Sequence, residues 1–127
     1  MVESLVDTNA AIALLKRNPD ILRALRDKRL HFSIVVLGEL CFGAFNSARV
    51  DDNLRDADIL MGRNPIHGCD EETAREYGKI KAQLRRIGRP IPDNDIWIAA
   101  CAKQHGLQLV TRDGHFQHVS GLETMDW

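Results

Sequence analysis

Four acids carry the chemistry this sequence could do: Asp7, Glu39, Asp95 and Asp113. Each lies beside apolar sequence, in Leu-Val-Asp-Thr-Asn, Leu-Gly-Glu-Leu, Asn-Asp-Ile-Trp and Val-Thr-Arg-Asp-Gly. Carboxylates gathered in one cleft repel one another, so a cation is needed to keep them ionised. Oxygen donors select hard ions, Mg²⁺ or Mn²⁺, over zinc. Such a site suits phosphodiester hydrolysis, in which the ion acidifies a bound water, polarises the phosphate and stabilises the leaving oxygen. Taken singly, each acid has an ordinary reading: Asp7 as a helix cap, Glu39 as a solvated helix residue, Asp95 as a partner of a helix dipole, Asp113 as a turn residue. Their joint placement is what argues for a site.

The elements that must position them follow from periodicity and punctuation. Glu3–Val6 reads as a strand running into Asp7-Thr8-Asn9, where Thr8 or Asn9 caps a helix over Ala10–Arg17. Asn18-Pro19 opens a second helix, Asp20–Lys28. His31–Val35 reads as a strand, and Leu37–Ala48 and Asp51–Met61 as amphipathic helices. Pro65–His67 is a short strand, and a helix runs from the acids Asp70-Glu71-Glu72 to about Ile87. After the rigid Gly88–Pro92 loop, Asp93 caps a helix that runs through His105 and stops at Gly106. Leu107–Thr111 is a strand, with a short tail strand near Leu122–Thr124. Strands alternating with helices predict an α/β fold with a mostly parallel central sheet flanked by helices. Ligands of such sheets bind beyond the carboxyl ends of the strands, which is where the four acids fall.

Composition sets the frame. The chain has 127 residues, a net charge of −1, 44% hydrophobic and 28% charged residues, which suits one globular domain over 1–127. No apolar run approaches the ~20 residues of a membrane span, and no secretory signal opens the chain, so a cytoplasmic protein is expected. Three cysteines, with no C-x-x-C pair, argue against a disulfide framework or a zinc site, and Cys41 and Cys101 read as small buried hydrophobes. The near-neutral charge excludes a histone-like polycation but leaves room for a local phosphate-binding rim. Basic residues gather at Arg23–Arg29 and at Lys79–Arg89, either as charged outer helix faces or as that rim.

The motifs resemble the PIN-domain family, specifically the toxins of VapBC-type toxin–antitoxin pairs. The resemblance rests on Val6-Asp7-Thr8-Asn9, on Ser33-Ile34-Val35-Val36-Leu37-Gly38-Glu39-Leu40 with Gly43, on Ile91-Pro92-Asp93-Asn94-Asp95-Ile96-Trp97-Ile98-Ala99-Ala100, on Gly106-Leu107 and Leu109-Val110-Thr111-Arg112-Asp113, and on Gly121-Leu122-Glu123 with Trp127. It spans the chain in order. The family's four acids fall on Asp7, Glu39, Asp95 and Asp113. The resemblance implies a PIN-like α/β/α domain and an endoribonuclease dependent on Mg²⁺, with Mn²⁺ as a substitute. It also implies a homodimer and a cognate VapB-type antitoxin.

Supporting roles are expected around the acids. Asn9 can donate to a phosphate or a carboxylate, and Ser33 and Thr111 can orient carboxylates. Asp93 is either a helix cap or an outer ligand through water. Trp97 and Trp127 read as core or dimer contacts. His115-x-x-His118 has metal-like spacing but falls in a loop without partners, and is set aside. Two rivals on similar folds fail on residues. A phosphoacceptor receiver needs a Lys beyond its last strand, where Thr111-Arg112-Asp113 stands, and a haloacid-dehalogenase-like phosphatase needs Asp-x-Asp where Asp7-Thr8-Asn9 stands. The remaining alternative is a PIN-like domain that binds RNA or a partner without cutting.

Overall fold

The computed structural model describes all of residues 1–127. Five parallel strands form the sheet: β1 (Val2–Val6), β2 (Lys28–Ser33), β3 (Ile66–His67), β4 (Gln108–Val110) and β5 (Thr124–Met125). Their order is β3-β2-β1-β4-β5. Six helices connect them: α1 (Thr8–Leu15), α2 (Pro19–Ala24), α3 (Ile34–Phe45), α4 (Val50–Gly62), α5 (Glu71–Arg86) and α6 (Asp93–His105). A 3₁₀ turn covers Gly114–His118.

β1 lies in the middle, paired with β2 on one side and β4 on the other, with Leu5 opposite both His31 and Leu109. Leu5 and Val6 are fully buried, as an apolar strand covered on both faces must be. The chain first winds outward from β1 through β2 to β3, then crosses back to β4. Right-handed crossovers therefore put the two sets of helices on opposite faces. α1, α3 and α4 contact one another, and α5 packs along α6. The strand order reverses between β1 and β4, so their carboxyl ends diverge and open a crevice.

Helix boundaries have local causes. Asn18 caps α2 ahead of Pro19, its Oδ1 accepting from the Asp20 N–H at 2.8 Å. Asp70 and Thr73 form a reciprocal capping box at the start of α5, with Oδ1 of Asp70 accepting from the Thr73 N–H at 3.1 Å and Oγ1 of Thr73 from the Asp70 N–H at 3.0 Å. α6 ends at Gly106, whose φ of 64° is left-handed and favours glycine. The centre of α6 is buried through Ile98, Ala99, Ala100, Cys101 and Ala102, so small residues let this helix lie close to the sheet. Burial pushes the Cys101 thiol up to about 12, in keeping with an inert, buried group. Cys41 is half-buried rather than buried.

Three expectations need correction. The second helix, expected to reach Lys28, ends at Ala24, because Lys28 already belongs to β2. Ile34 and Val35, read as strand from their β-branched side chains, begin α3, and β2 instead starts earlier, at Lys28. Ser33 Oγ accepts from the Val35 N–H at 3.1 Å, and this cap turns the chain into a helix despite the residues' propensity. The first helix is capped by Asp7, not by Thr8 or Asn9. No helix is long and apolar enough to cross a membrane.

Candidate active site

The four acids come from four different elements and line one cleft of about 460 Å³, together with Thr8, Asn9, Pro92, Asp93 and Asn94. The cleft opens at the switch point between β1 and β4. Asp7 follows β1 directly, and its N–H donates to the Val110 carbonyl of β4 at 3.2 Å, which ties the two strand ends together. Its Oδ1 accepts from the Ala10 N–H at 2.8 Å. The expected cap and the expected site residue are therefore the same side chain, one oxygen closing α1 and the carboxylate facing the cleft. Asp7 is 4% exposed. Burial pushes its carboxyl above the ordinary aspartate range and the charges of Asp95 and Asp113 add to this, while the Thr111 hydroxyl and the Ala10 N–H oppose it.

Glu39 projects from α3, and its Oε1 accepts from the Thr8 hydroxyl at 2.6 Å. Thr8 was expected only as a possible cap; the structure gives it to Glu39, 31 residues away in the chain. Replacing Thr8 with Val keeps the shape and removes the donor. Cleavage by this variant is expected to fall by about tenfold, the usual scale for losing a group that orients a ligand. Unchanged rates on a labelled RNA would show that Glu39 needs no such support.

Asp95 lies in the first turn of α6, half-buried. Burial raises its carboxyl, with the charges of Glu39 and Asp113 adding and His115 opposing. Asp113 follows β4, and its N–H donates to Thr111 Oγ1 at 3.0 Å. Thr111, 5% exposed, thus stands between Asp113 and Asp7. His115 is the residue that sequence reasoning missed. Its Nε2 lies 3.0 Å from Asp95 Oδ2 and its Nδ1 3.2 Å from Asp113 Oδ1. The Nε2 contact lacks hydrogen-bond direction, which leaves this buried atom without a bonding partner. The signal for it was its position two residues past Asp113, where a 3₁₀ turn folds it back.

Three supporting residues are placed differently from one another. Asn9 lines the cleft. Asp93 also lines it but caps nothing: the N-cap of α6 is Pro92, and Asp93 Oδ1 accepts from the Tyr77 hydroxyl and the Lys81 ammonium, both at 2.9 Å. These two groups hold its carboxyl below the usual range, Lys81 most strongly. Ser33 does not line the cleft; it is buried and serves the start of α3. Ser33→Ala is accordingly expected to lower stability by about 1 kcal/mol, read in a thermal melt, and to leave cleavage per folded molecule unchanged. Trp97 stacks on Tyr77 with ring centroids 4.1 Å apart, and Trp127 lies under the Arg112 guanidinium at 3.7 Å. Arg112 also faces Asp20 and Asp126, so it pins the C-terminus rather than the cleft.

The donor set fits a hard divalent cation. Carboxylate oxygens dominate the cleft, and burial first, with neighbouring charge adding to it, raises the carboxyls of Asp7 and Asp95, a cost of ionisation that a cation would relieve. The ligating atoms of Asp95, Asp113 and His115 lie within 4.8 Å of one another, with Asp7 and Glu39 facing the same cleft outside that tight group.

Comparison with known proteins agrees. Residues 4–122 match the PIN domain family. The chain is 33% identical to Ribonuclease VapC1 of Haemophilus influenzae, over 97% of this chain and 96% of that one. It is 34% identical to the tRNA(fMet)-specific endonuclease VapC of Shigella flexneri, over 100% of this chain and 99% of that one. Its fold superposes on the crystal structure of DNA-bound VapBC from Salmonella typhimurium with a TM-score of 0.89, at 28% identity, covering 100% of this chain and 99% of that chain.

Proposed function

The chain belongs to the PIN-domain family, among its VapC-type ribonucleases, and from that membership we propose how it works. It is the toxin of a type II toxin–antitoxin pair, an endoribonuclease whose residues 1–127 act as one PIN domain. Asp7, Glu39, Asp95 and Asp113 hold the divalent cation, Mg²⁺ with Mn²⁺ as substitute. The observation that carries this reading is the convergence of four acids from four elements on one cleft.

When bound, the cation supplies an acidified water and charge stabilisation at the phosphate and the leaving oxygen. The chain's own groups do the rest. Thr8 fixes the Glu39 carboxylate, and the Ala10 N–H fixes Asp7. Thr111 holds the backbone of Asp113 in place. Asn9, at the cleft wall, offers an amide to a phosphate oxygen. Lys81 of α5 sits beside Asp93 at the edge of the cleft and shares a neighbouring groove with Arg85 of the same helix, which offers a path for an RNA backbone.

The partner is a VapB-type antitoxin, and the chain is a homodimer in the cytoplasm. Exposed apolar side chains support both contacts: Phe42 is 72% exposed, Phe45 67% and Ile59 48%, on α3 and α4. Expression of the chain alone is expected to arrest growth, and co-expression of the antitoxin to restore it. The Asp7→Asn variant should be harmless at equal protein level. Equal toxicity of both forms would mean that the damage does not come from phosphodiester chemistry in this cleft, and would favour a domain that binds RNA without cutting.

A further inference from the structure

We propose that His115, beside Asp95 and Asp113 at the margin of this cleft, is a direct cation donor through Nε2, and that it makes the site hold Mn²⁺ more tightly than Mg²⁺. The inference rests on the reading that the acids bind a divalent ion, and adds a nitrogen to a set of oxygens.

The position of His115 is built, not incidental. It lies in the 3₁₀ turn after β4, and the next residue, Phe116, is 1% exposed and anchors that turn in the core. The two rings lie 4.8 Å apart, so the Phe116 anchor limits where the imidazole can go. The imidazole therefore lies between two carboxylates on different elements, Asp95 of α6 and Asp113 after β4. Two roles fit a histidine there. A bridge that ties the acids together would use both nitrogens in directed hydrogen bonds. The geometry argues otherwise, because Nε2 is buried, makes no hydrogen bond and faces an oxygen at 3.0 Å. A nitrogen donor leaves one ring atom for the ion and orients the ring with the other, typically on a carboxylate. Nδ1 lies 3.2 Å from Asp113 Oδ1, within reach of that partner although, like Nε2, it makes no directed hydrogen bond. The candidate atoms of Asp95, Asp113 and His115 already lie within 4.8 Å of one another, the span of a shared coordination shell.

The consequence is selectivity. Carboxylates and water suit Mg²⁺ and Mn²⁺ alike, but imidazole favours transition ions. Mg²⁺ keeps oxygen ligands and gains little from a nitrogen.

Mn²⁺ provides the probe, since its unpaired electrons sense bound nitrogen. Metal-stripped full-length protein is loaded with one equivalent of Mn²⁺ and measured by pulsed electron paramagnetic resonance. The expected result is a ¹⁴N modulation from a directly bound imidazole that changes to the ¹⁵N pattern when the protein carries ¹⁵N-histidine. His115→Gln should lose the modulation, and its preference for Mn²⁺ over Mg²⁺, read by competition, should fall by about tenfold. Bound Mn²⁺ without nitrogen coupling in the wild-type protein overturns this inference and leaves the acid site intact. Failure to bind Mn²⁺ at all overturns the acid-site reading as well. The wild-type spectrum decides the point even if His115→Gln folds poorly.

Discussion

Asp7→Asn is expected to abolish RNA cleavage and, with no divalent cation present, to make the protein more stable at neutral pH. The two effects have one source. Asp7 is buried after β1, where a full charge is poorly solvated and faces the charges of Asp95 and Asp113. Its carboxyl is thereby raised in the fold above the ordinary value of about 3.9 in the unfolded chain. A carboxyl raised in the folded state contributes stability that is fully present below the unfolded value and is lost as pH rises through the folded one. At pH 7, well above the unfolded value, the cost of ionising Asp7 in the fold therefore weighs against folding. Asn is neutral at every pH, and its Oδ1 can still accept from the Ala10 N–H. The melting temperature in chelator should rise by a few degrees, for about 1 kcal/mol. That gain should shrink as pH falls through the raised folded value and be gone below the unfolded value of about 3.9. Cleavage should fall by at least ~10²-fold, because the charge that holds the ion is gone. A variant that still cuts at the wild-type rate, or that melts well below wild type in chelator, would mean that Asp7 serves the helix and not the site.

Stripping divalent ions from the wild-type protein should have the largest effect of all: no cleavage of a labelled RNA pool, restored by Mg²⁺ or Mn²⁺. Ca²⁺ should bind but support cleavage poorly, since its larger, looser shell places water and phosphate less well. Binding should also raise the melting temperature, by about 2.7 kcal/mol of stability at an ion concentration 100 times the dissociation constant. The pH dependence follows from the same carboxyls. Asp7 and Asp95 are raised, so protons compete with the ion over a range that extends above ordinary aspartate titration. Apparent affinity for the ion should climb from acid toward neutral pH and then level off. Full activity in excess chelator would remove the metal from the mechanism altogether.

Much of this was legible in the residues because its causes are local. The end of α6 read correctly, since Gly106 stops it through its own backbone, and its start fell within one residue, Asp93 being the first helical residue after the Pro92 cap rather than the cap itself. Asn18-Pro19 and Asp70 marked two further starts for the same reason. The alternation of strands and helices implied a parallel sheet, and the acids just past strand ends implied one shared edge, because a parallel sheet places all its carboxyl ends on one side. Where two local signals competed, reading failed by a few residues. Ile34 and Val35 look like strand, but the Ser33 hydroxyl and packing on the sheet make them the first turn of α3.

The rest depended on contacts across long stretches of chain. Thr8 looked like a cap and proved to be the partner of Glu39, an assignment that requires α1 and α3 to pack side by side. Asp93 looked like a cap or an outer ligand, and the packing of α5 along α6 gave it to Tyr77 and Lys81 instead. His115 looked isolated, and only the closure of the sheet between β1 and β4, with Phe116 sunk in the core, sets it against Asp95 and Asp113. Residue types and spacing determined which side chains could bind an ion and on which edge of the sheet they stand. Strand order and helix packing decided which hydroxyl, which ammonium and which imidazole meet them, because those distances are set by the crossovers and not by neighbours in the chain.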